Sequence, residues 1–463
     1  MPGVRVVRTA LRAAPTEDAA VALLHRRAER LRLPPPAALC GEWFGSRAVI
    51  APTVRVEPVS AERAFGTVAD LPGVADAEPG TVGGGWFGYL SYDLTDPSGR
   101  QCALPRAAWG WADHVLRLDS DGRWWFEALL ADGEPFPHGL AADLDETLGA
   151  ALPTDLGWLP TTLPLPSRDE HRSAVVACVQ AIGAGEVFQA NICTRLTGEF
   201  AGCPAALFAE GVRRLGPARA AYLAGDWGAV VSMSPELFLA RHGRQVRSSP
   251  IKGTRPRRGT HDDHLAAELR RSVKDVAENV MITDLVRNDL GRVCEVGSVH
   301  VPELLAVRPA PGVWHLDSTV EGVLTDGTDD ATLLHATFPP GSVTGAPKLR
   351  ALDLVAELEP RARGVYTGAI GAVSPVAGLE LNVAIRTFEI AGGTARLGVG
   401  GGITADSDPD AEWEECLHKA APLLRLLQTP HDRRAVLHRS SPGERAMAAN
   451  PHCADTAGRS GIR

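Results

Sequence analysis

Stretches of period-two alternation and stripes of helical period take turns along most of this chain, with turn-rich breaks between them. Ala19 to Leu31 spaces alanines and leucines as a helix does, and Arg47 to Val56 alternates like a strand before ending near Pro58. Gly83-Gly84-Gly85 runs into an aromatic strand through Tyr92, and Val115 to Glu127 alternates again. Pro153 to Pro166 holds four prolines and no helical period, which predicts a linker there. Ser167 and Glu170 match a capping box, so a helix should start there and reach about Gly183. A strand at Val187–Leu196, a helix at Ala205–Leu215 and strands at Ala220–Leu223 and Ala229–Ala240 follow. A long helix is predicted from His261 to Arg287, with Leu265, Leu269, Val273, Val276 and Val280 as its apolar stripe. Strands at Val293–Val301 and Val313–Val323 come next, then a helix at Asp329–Thr337, the loop Phe338–Lys348 and a helix to Leu358. Strands at Val365–Val373 and Leu379–Ile390 precede a last helix, Asp410–Leu427.

Helices and strands without βαβ regularity predict an α+β fold. The expected division is an N-terminal lobe at 1–152, a linker at 153–166, a catalytic region at 167–428 and a disordered tail at 429–463, where apolar period is lost. With 463 residues, two packed lobes or one large intertwined domain are expected.

Charge and cysteine usage remove several classes. A net charge of −9 without a basic stripe argues against nucleic acid as the partner. No apolar run approaches membrane-spanning length and the start has no hydrophobic signal core, so a cytoplasmic protein away from membranes is expected. Eight cysteines without a Cys-x-x-Cys pair suggest neither a disulfide framework nor a zinc site.

The candidate chemistry begins at Pro250-Ile251-Lys252-Gly253-Thr254. A lysine becomes a nucleophile only when burial or a neighbouring cation removes its proton. Arg247, Arg255, Arg257 and Arg258 supply positive field around it, although a lysine in a basic loop is ordinarily solvated. Two helices each carry an acid-x-x-Glu pair, Asp275/Glu278 and Glu412/Glu415, and carboxylates without histidine or thiolate companions suit a hard cation such as magnesium. A solvated face with Lys274 and Arg271 as partners is the plain alternative for the first pair, and Glu415 stands four residues before Lys419 in ion-pairing order. Arg386, Lys419, Gly400-Gly401-Gly402 and Gly341-Ser342-Val343-Thr344-Gly345 offer charge and backbone N–H groups to a small carboxylate.

In this order the motifs carry a resemblance over about Ser167 to Leu427. The stretches are Ser234-Pro235-Glu236, Pro250 to Thr254, Ala277 to Arg292, Val313-Trp314-His315-Leu316, Gly341 to Lys348, Ile385-Arg386-Thr387 and Gly400 to Ser407. They resemble the chorismate-utilising enzymes, among them anthranilate synthase component I, aminodeoxychorismate synthase component I and the isochorismate and salicylate synthases. The resemblance implies two antiparallel sheets in a sandwich, helices outside, and a cleft in the C-terminal part. Lysine at position 252 implies the aminodeoxychorismate branch, where anthranilate synthases carry alanine; Gln189 stands where isochorismate and salicylate synthases carry a water-activating lysine. It further implies Lys252 as nucleophile, Glu236 as general acid/base and His315 near the ring. Substrate contacts would come from Gly253, Thr254, Ser342, Tyr366, Arg386, Gly400, Gly402 and Lys419. Magnesium (Mg2+) would sit on Glu278 and Glu415, with Asp275 and Glu412 behind them. No cysteine lies in a Gly-x-Cys-x-Gly elbow, so ammonia is expected from a separate glutaminase subunit. An anthranilate synthase, or a non-catalytic chorismate- or tryptophan-binding partner of a glutaminase, remain the alternatives.

Overall fold

The computed structural model describes residues 4–429 apart from Asp76 and Arg258; the tail expected at 429–463 lies, past its first residue, outside the described residues, as does Arg258. Two large sheets are packed face to face. The larger runs, in spatial order, Gly345–Ala346, Gln189–Glu199, Thr394–Ile403, Thr387–Ala391, Gly228–Ser234, Arg219–Gly225, Ala37–Trp43, Ser46–Ala51, His114–Leu118, Trp124–Ala131, Val4–Ala10 and Val74–Ala75. The second runs Ile251–Pro256, Val313–Val323, Gln245–Ser249, Leu237–His242, Gly378–Val383, Ala369–Ser374, Gly85–Leu90, Ala107–Ala112 and Glu57–Pro58, with His300–Ala310 also paired to Val313–Val323. Neighbouring strands are antiparallel except Val4–Ala10 beside Val74–Ala75. This is the α+β sandwich expected.

The layers follow from which faces are apolar. Leu39, Val49 and Val230 of the larger sheet meet Phe87, Tyr89 and Ile370 of the second in a core between the sheets. The outer face of the larger sheet is covered by helices Glu17–Leu31, Pro204–Leu215 and Pro409–Gln428, through Leu24, Phe208 and Leu423. The outer face of the second is covered by Val273–Gly291 and Asp330–Thr337, through Ile282, Val286 and Leu334. Strands from before and after residue 153 build both sheets, each set lying side by side and the two sets joined edge to edge in each sheet, so the chain is one body with shared sheets. The proline-rich segment 153–166 is strapped onto the core between the larger sheet and its covering helices. Trp158 and Leu163 are each 1% exposed, and the Trp158 indole donates to the Leu427 carbonyl at 3.0 Å.

Several runs read as single elements are two. Val115–Glu127 is a hairpin, His114–Leu118 and Trp124–Ala131, turning where the Asp119 carboxylate accepts the backbone N–H groups of Asp121 and Arg123. Ala229–Ala240 breaks at Pro235-Glu236, and Leu379–Ile390 breaks around Arg386. His261–Arg287 breaks at Ser272, whose side chain accepts from Asp275 N and caps a second helix, Val273–Gly291. Val296, placed in a strand by its pattern, is fully exposed in the connection before His300–Ala310.

Candidate active site

Two sheet crossings lie side by side and make the site. Gly228–Ser234 belongs to the larger sheet and Leu237–His242 to the second, so Glu236 sits at the corner between them. Gly378–Val383 and Thr387–Ala391 cross in the opposite sense, with Arg386 at that corner. The corners are tied together. Val383 N donates to the Glu236 carbonyl at 3.0 Å, Met233 N donates to the Arg386 carbonyl at 3.0 Å, and the Ser234 hydroxyl donates to the Val383 carbonyl at 2.6 Å. Arg386 has φ 52°, a left-handed conformation uncommon for a residue with a side chain.

Lys252, on the strand Ile251–Pro256, lies across this crease. Its ammonium donates to the Ser342 carbonyl at 2.7 Å. Burial pushes its pKa down, against the upward pull of Glu278 and Glu236, and Lys419 adds to the downward side. Glu236 is 3% exposed, and burial raises its carboxyl pKa despite a hydrogen bond from the Ser342 side chain and the nearby Lys252 charge. Gly253 has φ 89°, and a side chain there would come within 2.8 Å of Leu269 and 3.0 Å of Asp275, so glycine is needed on both counts. Thr254 Oγ1 lies 3.1 Å from His315 Nδ1, while His315 Nε2 is buried with no hydrogen-bond partner. Burial, then the Arg386 charge, lower the His315 pKa to about 4, so the ring is neutral near pH 7.

The acid pairs face one another at the end of the strand Thr394–Ile403. Past Leu397 that strand has a strand partner only on its Gln189–Glu199 side, which leaves the other edge at Gly400–Gly402 open for a ligand. A side chain at Gly402 would meet Gln189 Nε2 at 2.0 Å and Glu278 Oε2 at 3.3 Å. One at Gly401 would meet Glu412 Oε2 at 3.1 Å and Glu415 Oε1 at 3.9 Å. Lys419 donates to the Gly400 carbonyl at 2.9 Å and pairs with Glu415 at 2.8 Å, the intrahelical pair expected. Burial acts against the charge of Glu415, but Lys419 and the other lysines overcome it and leave its pKa low. For Glu278 burial wins over Lys252 and Lys274, and its pKa is raised. Asp275 turns instead to Arg255, at 2.9 Å.

This arrangement fits a hard divalent ion. Glu412 Oε2 is buried without a hydrogen-bond partner, and carboxylate oxygens of Glu278, Glu412 and Glu415 converge near Gly401 and Gly402, beside Lys419 Nζ and Gln189 Nε2. Among the described residues no group of three histidine, cysteine or acidic side chains could hold a metal alone. Magnesium suits such a place, because it takes one or two protein carboxylates and completes its shell with water and substrate oxygens.

Of the residues singled out in the sequence, Lys252, Glu236, Ser342, Gly253, Thr254, His315 and Arg386 meet in the crease. Glu278, Glu415, Lys419, Gly400 and Gly402 meet at the open strand edge. Tyr366 packs on the strand Thr394–Ile403. Its ring lies against Gly398, where a side chain would come within 2.2 Å of it, and its hydrogen-bonding neighbour is Cys193. Two roles were not legible. Lys274 reaches out of its own helix to Glu412 at 2.8 Å. Lys348 donates to Asp289, to the Thr337 carbonyl and to the Pro339 carbonyl, and so pins the loop that carries Ser342. A lysine directly after a proline-rich loop was the available signal for Lys348.

The chain belongs to the family of chorismate binding enzymes, whose model matches residues 48–425. Within that family it is 40% identical over 366 residues to an aminodeoxychorismate synthase of Streptomyces griseus, over 74% of this chain and 50% of that one. The chain thus spans half the length of that relative. It is 35% identical over 417 residues to the anthranilate synthase component 1 of Streptomyces coelicolor, over 83% of this chain and 80% of that one. Relatives under both names recur among the other matches. The crystal structure of anthranilate synthase component I from Streptococcus pneumoniae superposes with a TM-score of 0.68 at 25% identity, covering 85% of this chain and 90% of that one. No helix among the described residues is long and apolar enough to cross a membrane.

Proposed function

We propose that this chain is a chorismate-aminating enzyme of the aminodeoxychorismate synthase component I type. It converts chorismate and ammonia into 4-amino-4-deoxychorismate, a precursor of p-aminobenzoate. Relatives carry two activities in their names, and the observation that favours this one is Lys252: a lysine in the crease whose pKa burial lowers, with a buried carboxyl of raised pKa beside it. Neutral amine and protonated carboxyl are the forms that a double displacement requires at its start.

In the first displacement the Lys252 lone pair forms a bond to ring carbon C2, the ring double bonds shift, and the C4–O bond breaks. Glu236 gives its proton to the departing hydroxyl, which leaves as water. Ammonia then forms a bond at C4, the double bonds shift back, and the C2–N bond breaks to return Lys252 as an amine. Glu236 takes a proton from the added ammonia, which restores both residues. Arg386 and the open edge at Gly400–Gly402 hold the substrate carboxylates, and neutral His315 presents an uncharged ring nitrogen. Glu278 and Glu415 would hold magnesium, which supplies positive charge that orients a ring carboxylate. Glu412 stands beside them with its unpartnered Oε2, while Asp275 is taken up by Arg255.

A separate glutaminase subunit is the proposed ammonia source, in keeping with relatives named as component 1 and with the doubled length of the Streptomyces griseus relative. The test is mass spectrometry of products from chorismate, magnesium chloride and ammonium chloride, for the wild type and Lys252→Ala. Aminodeoxychorismate from the wild type, with a lysine adduct when ammonia is left out, is expected. Anthranilate formed equally by both proteins would sink the reading.

A further inference from the structure

Three lysines stand among the carboxylates of the acid cluster, and they are held differently. Lys252 also binds the Ser342 carbonyl and Lys419 also binds the Gly400 carbonyl. Lys274 makes contacts to carboxylates alone, Glu412 Oε1 at 2.8 Å and Glu278 Oε1 at 4.0 Å, while its side chain is 43% exposed. It therefore bridges the helix Val273–Gly291 to the helix Pro409–Gln428 without a backbone anchor. Its partner Glu412 is 3% exposed and is fixed independently, because the Ser407 hydroxyl donates to the same Oε1 at 2.6 Å. The second oxygen, Oε2, is buried and unpartnered beside Gly401. Buried carboxylates of like sign need a counter-charge whether or not an ion from solution is present.

We infer that Lys274 is an internal counter-cation of the acid cluster, seated between Glu412 and Glu278 when no divalent ion is bound and displaced toward solvent when one arrives. It thereby sets how tightly the cluster binds magnesium. The inference rests on the proposed magnesium site. Its physical basis is that a half-exposed ammonium is rehydrated cheaply on leaving, whereas a dication offers the carboxylates twice the charge in the same place. Ser407 keeps Glu412 in position during the exchange, so only the lysine side chain has to move.

Calorimetric titration with magnesium chloride alone, without chorismate and at fixed ionic strength, tests this on the wild type, Lys274→Met and Lys274→Arg. Removing the competing charge should tighten magnesium binding by about fivefold in Lys274→Met, the size expected for one partly exposed ion pair. Lys274→Arg should stay near the wild type. Equal or weaker binding by Lys274→Met would overturn the inference, since a lysine that only positions the carboxylates helps the metal. Should Lys274→Met fold poorly, the wild type alone carries the test. Acetylation of Lys274 by an amine-reactive reagent, followed by mass spectrometry, should rise several-fold on adding magnesium chloride, and unchanged labelling would reject displacement. Absence of binding heat in all three proteins would remove the magnesium site itself, and this inference with it.

Discussion

The two ends of the site treat charge in opposite ways. In the crease, burial moves Lys252 down and Glu236 up, each toward its neutral form, and holds His315 neutral as well. At the open strand edge, the pKa values of Lys274 and Lys419 are raised and that of Glu415 is lowered, each toward its charged form, while Glu278 follows the crease and is raised by burial. Burial opposes charge at both ends, so burial alone cannot account for the difference. The closeness of opposite charges does. Lys419 has Glu415 at 2.8 Å and Lys274 has Glu412 at 2.8 Å, whereas the nearest partner of Lys252 is the uncharged Ser342 carbonyl. A group that must gain or lose a proton in a reaction is kept where its charge is weakly supported. Glu415, Lys419 and Lys274 of the acid cluster are kept where their charge is strongly supported.

The sharpest way to break this contrast is to delete the discharged lysine. Lys252→Ala should lower kcat for amination by on the order of 10⁴ or more, as losses of nucleophiles do, while magnesium still binds. Steady-state product assays and calorimetry on the same preparation check the two halves. Glu236→Gln keeps shape and removes proton transfer, so kcat should fall by roughly 10²–10⁴ with KM little changed. A matching fall in kcat/KM through KM alone would assign Glu236 to binding.

The pH dependence of stability reads the crease directly. The folded pKa of His315 is about 4, below its unfolded value of 6.5, so between these two pH values the unfolded chain binds the additional proton. Stability therefore rises with pH through that window, and the contribution is lost as pH falls from 6.5 toward 4. For the whole window the loss amounts to about 3 kcal/mol. In His315→Gln this part of the slope should vanish, as measured by urea unfolding at several pH values. The smallest effect expected is at the break that aims the acid helix. Ser272→Ala removes the cap on Asp275 N and should cost about 1 kcal/mol of stability. Chemical denaturation would show it, and a stability equal to the wild type would mean that water replaces the serine.

The long helix predicted over His261–Arg287 shows where periodicity misled. Its stripe of Leu265, Leu269, Val273, Val276 and Val280 passes through the Ser272 break, and Val273 is 84% exposed and Val280 43% exposed. The polar residues Glu278 and Asn279 are buried instead, because this helix faces the site as well as the core. Ala229–Ala240 and Leu379–Ile390 misled for a different reason. Period-two alternation reports which side of a strand is buried, and it carries on through a corner when both sheets bury their inner faces. The two corners hold Glu236 and Arg386, so the residues that interrupt the strands are the ones the site uses. The proline-rich segment was read from its composition as a linker, yet Trp158 and Leu163 are inserted in the core.

By itself the sequence determined the α+β class, most of the helices, and the list of chemically competent residues. Motifs such as Pro250 to Thr254 and Ala277 to Arg292 keep those residues at fixed local spacing, and local spacing is what a linear text records. Only the tertiary structure decided that the two halves share both sheets, that the Ser342 carbonyl takes the Lys252 ammonium, and that Lys274 joins two helices far apart in sequence. It also decided which charges are weakened and which reinforced. Those outcomes depend on burial and on contacts between residues far apart in sequence, and neither is set by any local pattern.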